Sequence, residues 1–344
     1  MKYIVALALI ASATAASAKD FTSFDIPGGG KKSGQGTYVN SIDVSGAVTG
    51  NVISTSGATS GFTRLAGGQV TVFNAEESAD THAIDISFRF DQTGYYGGGD
   101  GHNHGFVRTL DGEVTSFDPE GSTGTQTISI NRGGDVAGQF TGLDGLQHGF
   151  LRKKSGKIAT FDGNAAVAGL GTFATGMNGG QTVCGFWFDS NFAMHGYLRL
   201  ADGTIVPVDV DGAGVGSLQG TQIESVNKHG DAAGFYTDSA KTRHGFIRHA
   251  DGTIETFDVP GAVNTVVASI NATREIAGYY LDASNVAHGF VRKHGGKFKT
   301  FDGPKASLQS ARGTFVSDIN DFGTVAGETF DDQFGVHGFT GHPK

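Results

Sequence analysis

Five histidines in this 344-residue chain each stand fourteen residues before an aspartate: His104 and Asp118, His148 and Asp162, His195 and Asp209, His244 and Asp258, His288 and Asp302. A carboxylate that holds one imidazole nitrogen is half of a general base, because it sets the tautomer and stabilises the imidazolium formed on proton transfer. Repetition argues against catalysis, since an active site is normally a single departure from a repeat. The copies favour a cross-strand hydrogen bond that pins register, worth up to about 1 kcal/mol per pair. His337 runs out of chain before its aspartate, and Asp25 is its expected partner. Ser60 and Asn74 stand where one further pair would be.

The remaining reactive types are sparse. One cysteine, Cys184, cannot close an intramolecular disulfide, and its column of small residues reads as a buried neutral thiol. Asp189, Asp238, Asp282 and Asp331 each open a loop, where capping of the turn is favoured over calcium ligation. No metal site and no cofactor is expected. Nucleophile elbows and phosphate-cradling loops are missing, and Gly97-Gly98-Gly99 is followed by no helix.

These groups must be positioned by an internal repeat. Its threonine falls at Thr37, Thr81, Thr125, Thr172, Thr221, Thr265 and Thr314, and a glycine follows each by thirteen residues, from Gly50 to Gly327. Ten residues on comes the H-G-F position, then an arginine (Arg64, Arg108, Arg152, Arg199, Arg248, Arg292), then a T-F-D run. Each unit holds four β-rich segments, with a compact turn before the fourth such as His249-Ala250-Asp251-Gly252-Thr253. Trp187 aligns with Tyr96, Tyr236 and Tyr280, so packing is favoured over a sugar platform. Units of 44 to 49 residues with four strands predict propeller blades. The last unit lacks its fourth strand, and Thr22-Ser23-Phe24-Asp25 at the other end supplies it. The expected fold is all-β, a seven-bladed propeller closed by the N-terminal strand.

His244-Gly245-Phe246 with Thr256-Phe257-Asp258-Val259-Pro260-Gly261-Ala262 resembles the HAF-type extracellular repeat family. Six of the seven units carry H-G-F or H-G-Y; the first departs with Ser60-Gly61-Phe62 and Val72-Phe73-Asn74. The resemblance runs from about Phe21 to Thr340 and implies an exported bacterial repeat protein. It brings no established catalytic residues.

Lys2, the apolar run Tyr3 to Ala15 and Ala16-Ser17-Ala18 read as a signal peptide over residues 1–18, leaving 19–344 as one domain, secreted or periplasmic. No later stretch is long and apolar enough to span a bilayer. A net charge of −9 argues against nucleic acid as a partner, and a monomer is expected.

Length varies only between the fourth strand of one unit and the threonine of the next, with steps of 12, 7, 7, 10, 12, 7 and 12 residues. Insertions on one face mark the expected binding side. Two long loops there are basic, through Lys31 and Lys32 and through Lys305 and Arg312; the loop with Glu76, Glu77 and Asp80 is acidic. A charged cluster is commonly only a solvated rim, and the functional alternative is attraction of an anionic group. The position after the threonine is the least regular: Tyr38, His82, Gln126, Phe173, Gln222, Val266, Phe315. Nearby, Glu224 and Asp85 replace small or apolar residues. Polar groups converging on a channel entrance predict a site for an extracellular glycan or small polar ligand, with Tyr38, His82, Gln126, Gln222 and Glu224 as its lining. The expected function is recognition; a polysaccharide lyase or glycoside hydrolase is the alternative, and a scaffold or adhesin the third.

Overall fold

The computed structural model describes residues 20–163 and 170–343. The expected signal peptide, and most of the loop from Gly163 to Gly171, lie outside the described residues. The fold is all-β, with helix limited among the described residues to 3-10 turns such as Ala75–Glu77.

Strand pairing follows the repeat. In one unit Asn264–Ile270, Ile276–Leu281, Ala287–Arg292 and Phe298–Phe301 pair antiparallel in chain order. The last unit has three strands, Gly313–Ile319, Val325–Phe330 and Val336–Gly341; the N-terminal strand Phe21–Phe24 pairs antiparallel with the third. Its register sets Phe21 against Gly341 and Phe24 against Gly338.

The repeated residues each have a local task. In every unit the pairing of first and second strands slips by one residue, as between Val267 and Ser269. The bulge drives the first strand's carbonyl toward the second, and a Cβ on Gly278 would sit 2.1 Å from the Val266 oxygen. Only glycine fits there. The threonine is buried and accepts, through Oγ1, the backbone N–H that follows the T-F-D run: Ile26 to Thr37, Val210 to Thr221, Val259 to Thr265, Gly303 to Thr314. Pro119 has no N–H to give, and there Thr125 instead donates to Asp118 at 2.5 Å.

Packing is layered between neighbouring units. The H-G-F ring is fully buried throughout, as Phe62, Phe106, Phe150, Tyr197, Phe246, Phe290 and Phe339. One cluster joins Ala277, Val291 and Phe301 to Val316, Ile319, Val325 and Phe339, with Phe21 inside it. The recurring arginines cross the same seam. Arg108 lies over Phe73, Arg152 over Phe117 and Arg292 over Phe257, each ring belonging to the preceding unit. Asparagines tie the far ends of the first strands: Asn227 Nδ2 donates to the Asn271 oxygen, Asn271 to Asn320, and Asn320 to Asp43. That last bond, and the parallel bridge between Gly36 and Val336, link the final unit to the first.

Candidate functional site

The histidine–aspartate pairs form as the register requires. Nδ1 lies 2.7 Å from Asp118 in His104, 2.8 Å from Asp162 in His148, 2.9 Å from Asp209 in His195 and from Asp258 in His244, and 2.7 Å from Asp302 in His288. His337 reaches Asp25 at 2.6 Å, across the two ends of the chain. A second carboxylate faces Nε2 in each: Asp100, Asp144, Asp189, Asp238, Asp282 and Asp331, at 3.2 to 3.7 Å. Those aspartates also cap their own turns, as Asp282 does by accepting from Ser284 and Val286. The bond to Asp118 raises the His104 pKa and that to Asp302 raises His288; His148 rises against its own burial through Asp144 and Asp162. Aromatic rings cover five of the six imidazoles, including Trp187 stacked on His195 at 4.4 Å and Tyr280 on His288 at 5.1 Å, while His337 stands opposite Thr329. An imidazole with both nitrogens held and one face covered serves register. Cys184 is likewise inert, its thiol pushed by burial up to about 12.

The first strands line a central run of cavities. One of about 460 Å³ is walled by Gln222, Glu224, Phe235, Arg243, Tyr279 and Ser317, among others. It adjoins one of about 360 Å³, also touching Glu224, with Ser41, Asp85, Ser129 and Asp318. Burial pushes the Glu224 carboxyl up to about 8, against a hydrogen bond from Gln222 Nε2 at 2.6 Å and the field of Arg243. Glu328, opposite Phe315 in the strand register, is pushed by burial up to about 7 while Ser317 donates to it at 3.1 Å. Asp85 is raised to about 6 by burial, although Ile130 N–H and the Ser41 and Ser129 hydroxyls bond to it. Ser41 Oγ also lies 3.1 Å from Asp318, so one hydroxyl stands between two carboxyls.

Among the residues expected at the site, Gln222 and Glu224 therefore share a cavity. The others have local partners. His82 bonds Asp80 at 2.9 Å and stacks on Tyr95, Gln126 accepts from Gln139 at 3.2 Å, and Tyr38 donates to the Gly34 carbonyl at 3.1 Å. Lys31 and Lys305 line a separate cavity of about 320 Å³ with Asp25, Asp331 and His337, and no residue there touches the Glu224 cavity. Lys305 Nζ is 3.0 Å from Asp25, which is held low, against burial, by His337 and Lys305. Arg312 lies 3.7 Å over the Phe334 ring, and Lys32 is exposed on its loop. Sequence reasoning missed Arg243, Tyr279 and Glu328. Each occupies a variable position, just before H-G-F or just after the repeated glycine, and that variability was the available signal.

No family model matches the chain, and no curated protein does. Solved structures do. Virginiamycin B lyase from Staphylococcus aureus aligns with a TM-score of 0.56 at 12% identity, over 93% of this chain and 99% of that one. The β-propeller domain of the Trilobed protease from Pyrococcus furiosus gives 0.59 at 9% identity, over 90% and 96%. A lectin from Burkholderia pseudomallei gives 0.54 at 9% identity, over 89% and 96%. The chain thus has an all-β fold whose structural neighbours are β-propellers. At these identities the likeness is one of fold alone.

Proposed function

We propose that the units close into a ring of seven four-stranded blades, the last completed by Phe21–Phe24, and that the ring is an exported recognition module related to the HAF-type repeats. Its ligand is a glycan segment or another small polar molecule docked at the channel mouth. The observation that carries this reading is the cavity around Glu224. Gln222, Glu224 and Arg243 of one unit meet Tyr279 of the next and Ser317 of the one after at one concavity, and Glu224 and Arg243 are matched in no other unit, where a structural role would have repeated in each blade. The closed ring draws support from the three links between last and first units: the strand pairing, the Gly36–Val336 bridge and the Asn320 bond to Asp43.

A second reading, lyase or glycoside hydrolase, draws on the same carboxyls. Glu224 at about 8 and Glu328 at about 7 hold protons near neutral pH, the state a general acid needs. A screen of purified protein against acidic and neutral glycans, following retained ligand and released product together, separates the two. In a recognition module Glu224→Ala and Gln222→Ala weaken binding and no product appears. In an enzyme they stop turnover with binding partly kept. If neither change matters while one at the opposite end does, by Asn227 or Asp321, the site is misplaced.

A further inference from the structure

Arg243 is a cation of the channel mouth that no repeat explains. The equivalent position holds Thr59, Asn103, Gln147, Met194, Ala287 and Val336 in the other units. Strand pairing therefore has no need of a guanidinium there. The residue is exposed and shares the 460 Å³ cavity with Glu224. Its guanidinium lies over the Phe235 ring, 5.1 Å from the centroid, and makes no ion pair within 4.0 Å of any described carboxylate. Glu224 takes its hydrogen bond from Gln222 instead. A cation and a buried carboxyl thus line one cavity, each held by a neutral neighbour and with no ion pair between them.

Building on the channel-mouth reading, we propose that this cavity takes an acidic sugar, a hexuronate unit whose carboxylate pairs with Arg243 and whose hydroxyls meet Glu224, Gln222 and Tyr279. A planar guanidinium matches a carboxylate with two parallel hydrogen bonds, which a neutral sugar cannot return. Glu224, raised to about 8, is protonated at neutral pH and donates to a hydroxyl or ring oxygen. A ligand ammonium in the same place would force that carboxyl to ionise, so a uronate fits better than an amino acid. Phe235 and Tyr279 add ring faces for the apolar side of the sugar. The size also suits: ligand pockets run from about 300 to 1,000 Å³.

The test is calorimetric titration of the full chain at pH 7 with digalacturonate, and with digalactose as the neutral counterpart. Digalacturonate should bind more tightly than digalactose. Arg243→Gln should weaken digalacturonate by about tenfold or more, the worth of a charged hydrogen bond, and leave digalactose unchanged. Arg243→Lys should recover part of the loss. Digalacturonate affinity should also fall as pH rises through about 8, when Glu224 ionises beside the ligand. Thermal melts confirm that the variants fold. Digalacturonate affinity indifferent to Arg243→Gln, no digalacturonate binding, or equal affinity for both sugars overturns the proposal. Digalactose binding that needs Glu224, at an affinity equal to or above that of digalacturonate, would overturn it while leaving the channel-mouth reading intact. Binding of either sugar that ignores Glu224→Ala overturns both.

Discussion

Phe21→Ala tests whether the N-terminal strand is an integral part of the fold. Phe21 is 8% exposed, stacks on Phe301 at 4.7 Å and meets Phe339 edge-on at 5.8 Å. Truncating a buried phenylalanine to alanine costs about 3–5 kcal/mol, and the residual exposure here points to the lower end. Thr22, next in the strand, faces solvent, and Thr22→Ala should stay within about 0.5 kcal/mol. The assay is urea unfolding followed by the fluorescence of Trp187. That residue is the sole tryptophan and lies in the fourth unit, far along the chain from Phe21. A cooperative ring shifts the Trp187 transition by the full cost, with an unchanged dependence on urea. A Trp187 transition that stays put while circular dichroism shows early local loss would refute the reasoning, because the N-terminal strand would then be a dispensable attachment.

Further outcomes concern the repeated groups. Replacing His244 and Asp258 singly and together should show coupling of up to about 1 kcal/mol in a double-mutant cycle, with no effect on binding. Stability should peak near pH 4, between the ordinary Asp and Glu values. The raised pKa values of His104, His148 and His288 give stability that is complete below their usual 6.5 and lost as pH climbs through the folded values. Glu224 and Glu328, also raised, add loss in the same direction between pH 4.5 and about 8. On the acid side Asp100 and Asp144, held low by backbone N–H groups and then by their histidines, give stability that is lost as pH falls below 3.8. Melting temperatures from pH 3 to 9, with His288→Asn flattening the alkaline limb, check this. Gly278→Ala should cost several kcal/mol, because its Cβ would meet backbone at 2.1 Å with nothing free to move aside.

The repeat made the strand order and the pairing of His244 with Asp258 legible, because a fixed turn fixes every pair beyond it. The second carboxylate on each histidine was not legible, for a physical reason. Asp100 and Asp144 precede their histidines by four residues, whereas Asp189, Asp238, Asp282 and Asp331 precede theirs by six. The same five-residue loop carries its aspartate at the third position in the first two and at the first position in the other four, so no constant spacing betrays it. Glu224 stood out as a carboxylate among small residues. Arg243 and Glu328 did not, since each stands at a position whose residue type varies from unit to unit, and only the fold sets Arg243 beside Tyr279 and Ser317 of other units. The basic loops show the opposite error of emphasis: of four cations, Lys31 and Lys305 line a separate cavity, Arg312 lies over the Phe334 ring and Lys32 is exposed.

The site assignment is tested most directly by a crystal structure of the protein with the tightest ligand from the glycan screen. The account predicts ligand density over the entrance of the first strands, in contact with Glu224 and Gln222 and within reach of Tyr279. Density confined to the opposite end, beside Asn227, Asn271 and Asp321, or to the outer strands, would contradict it.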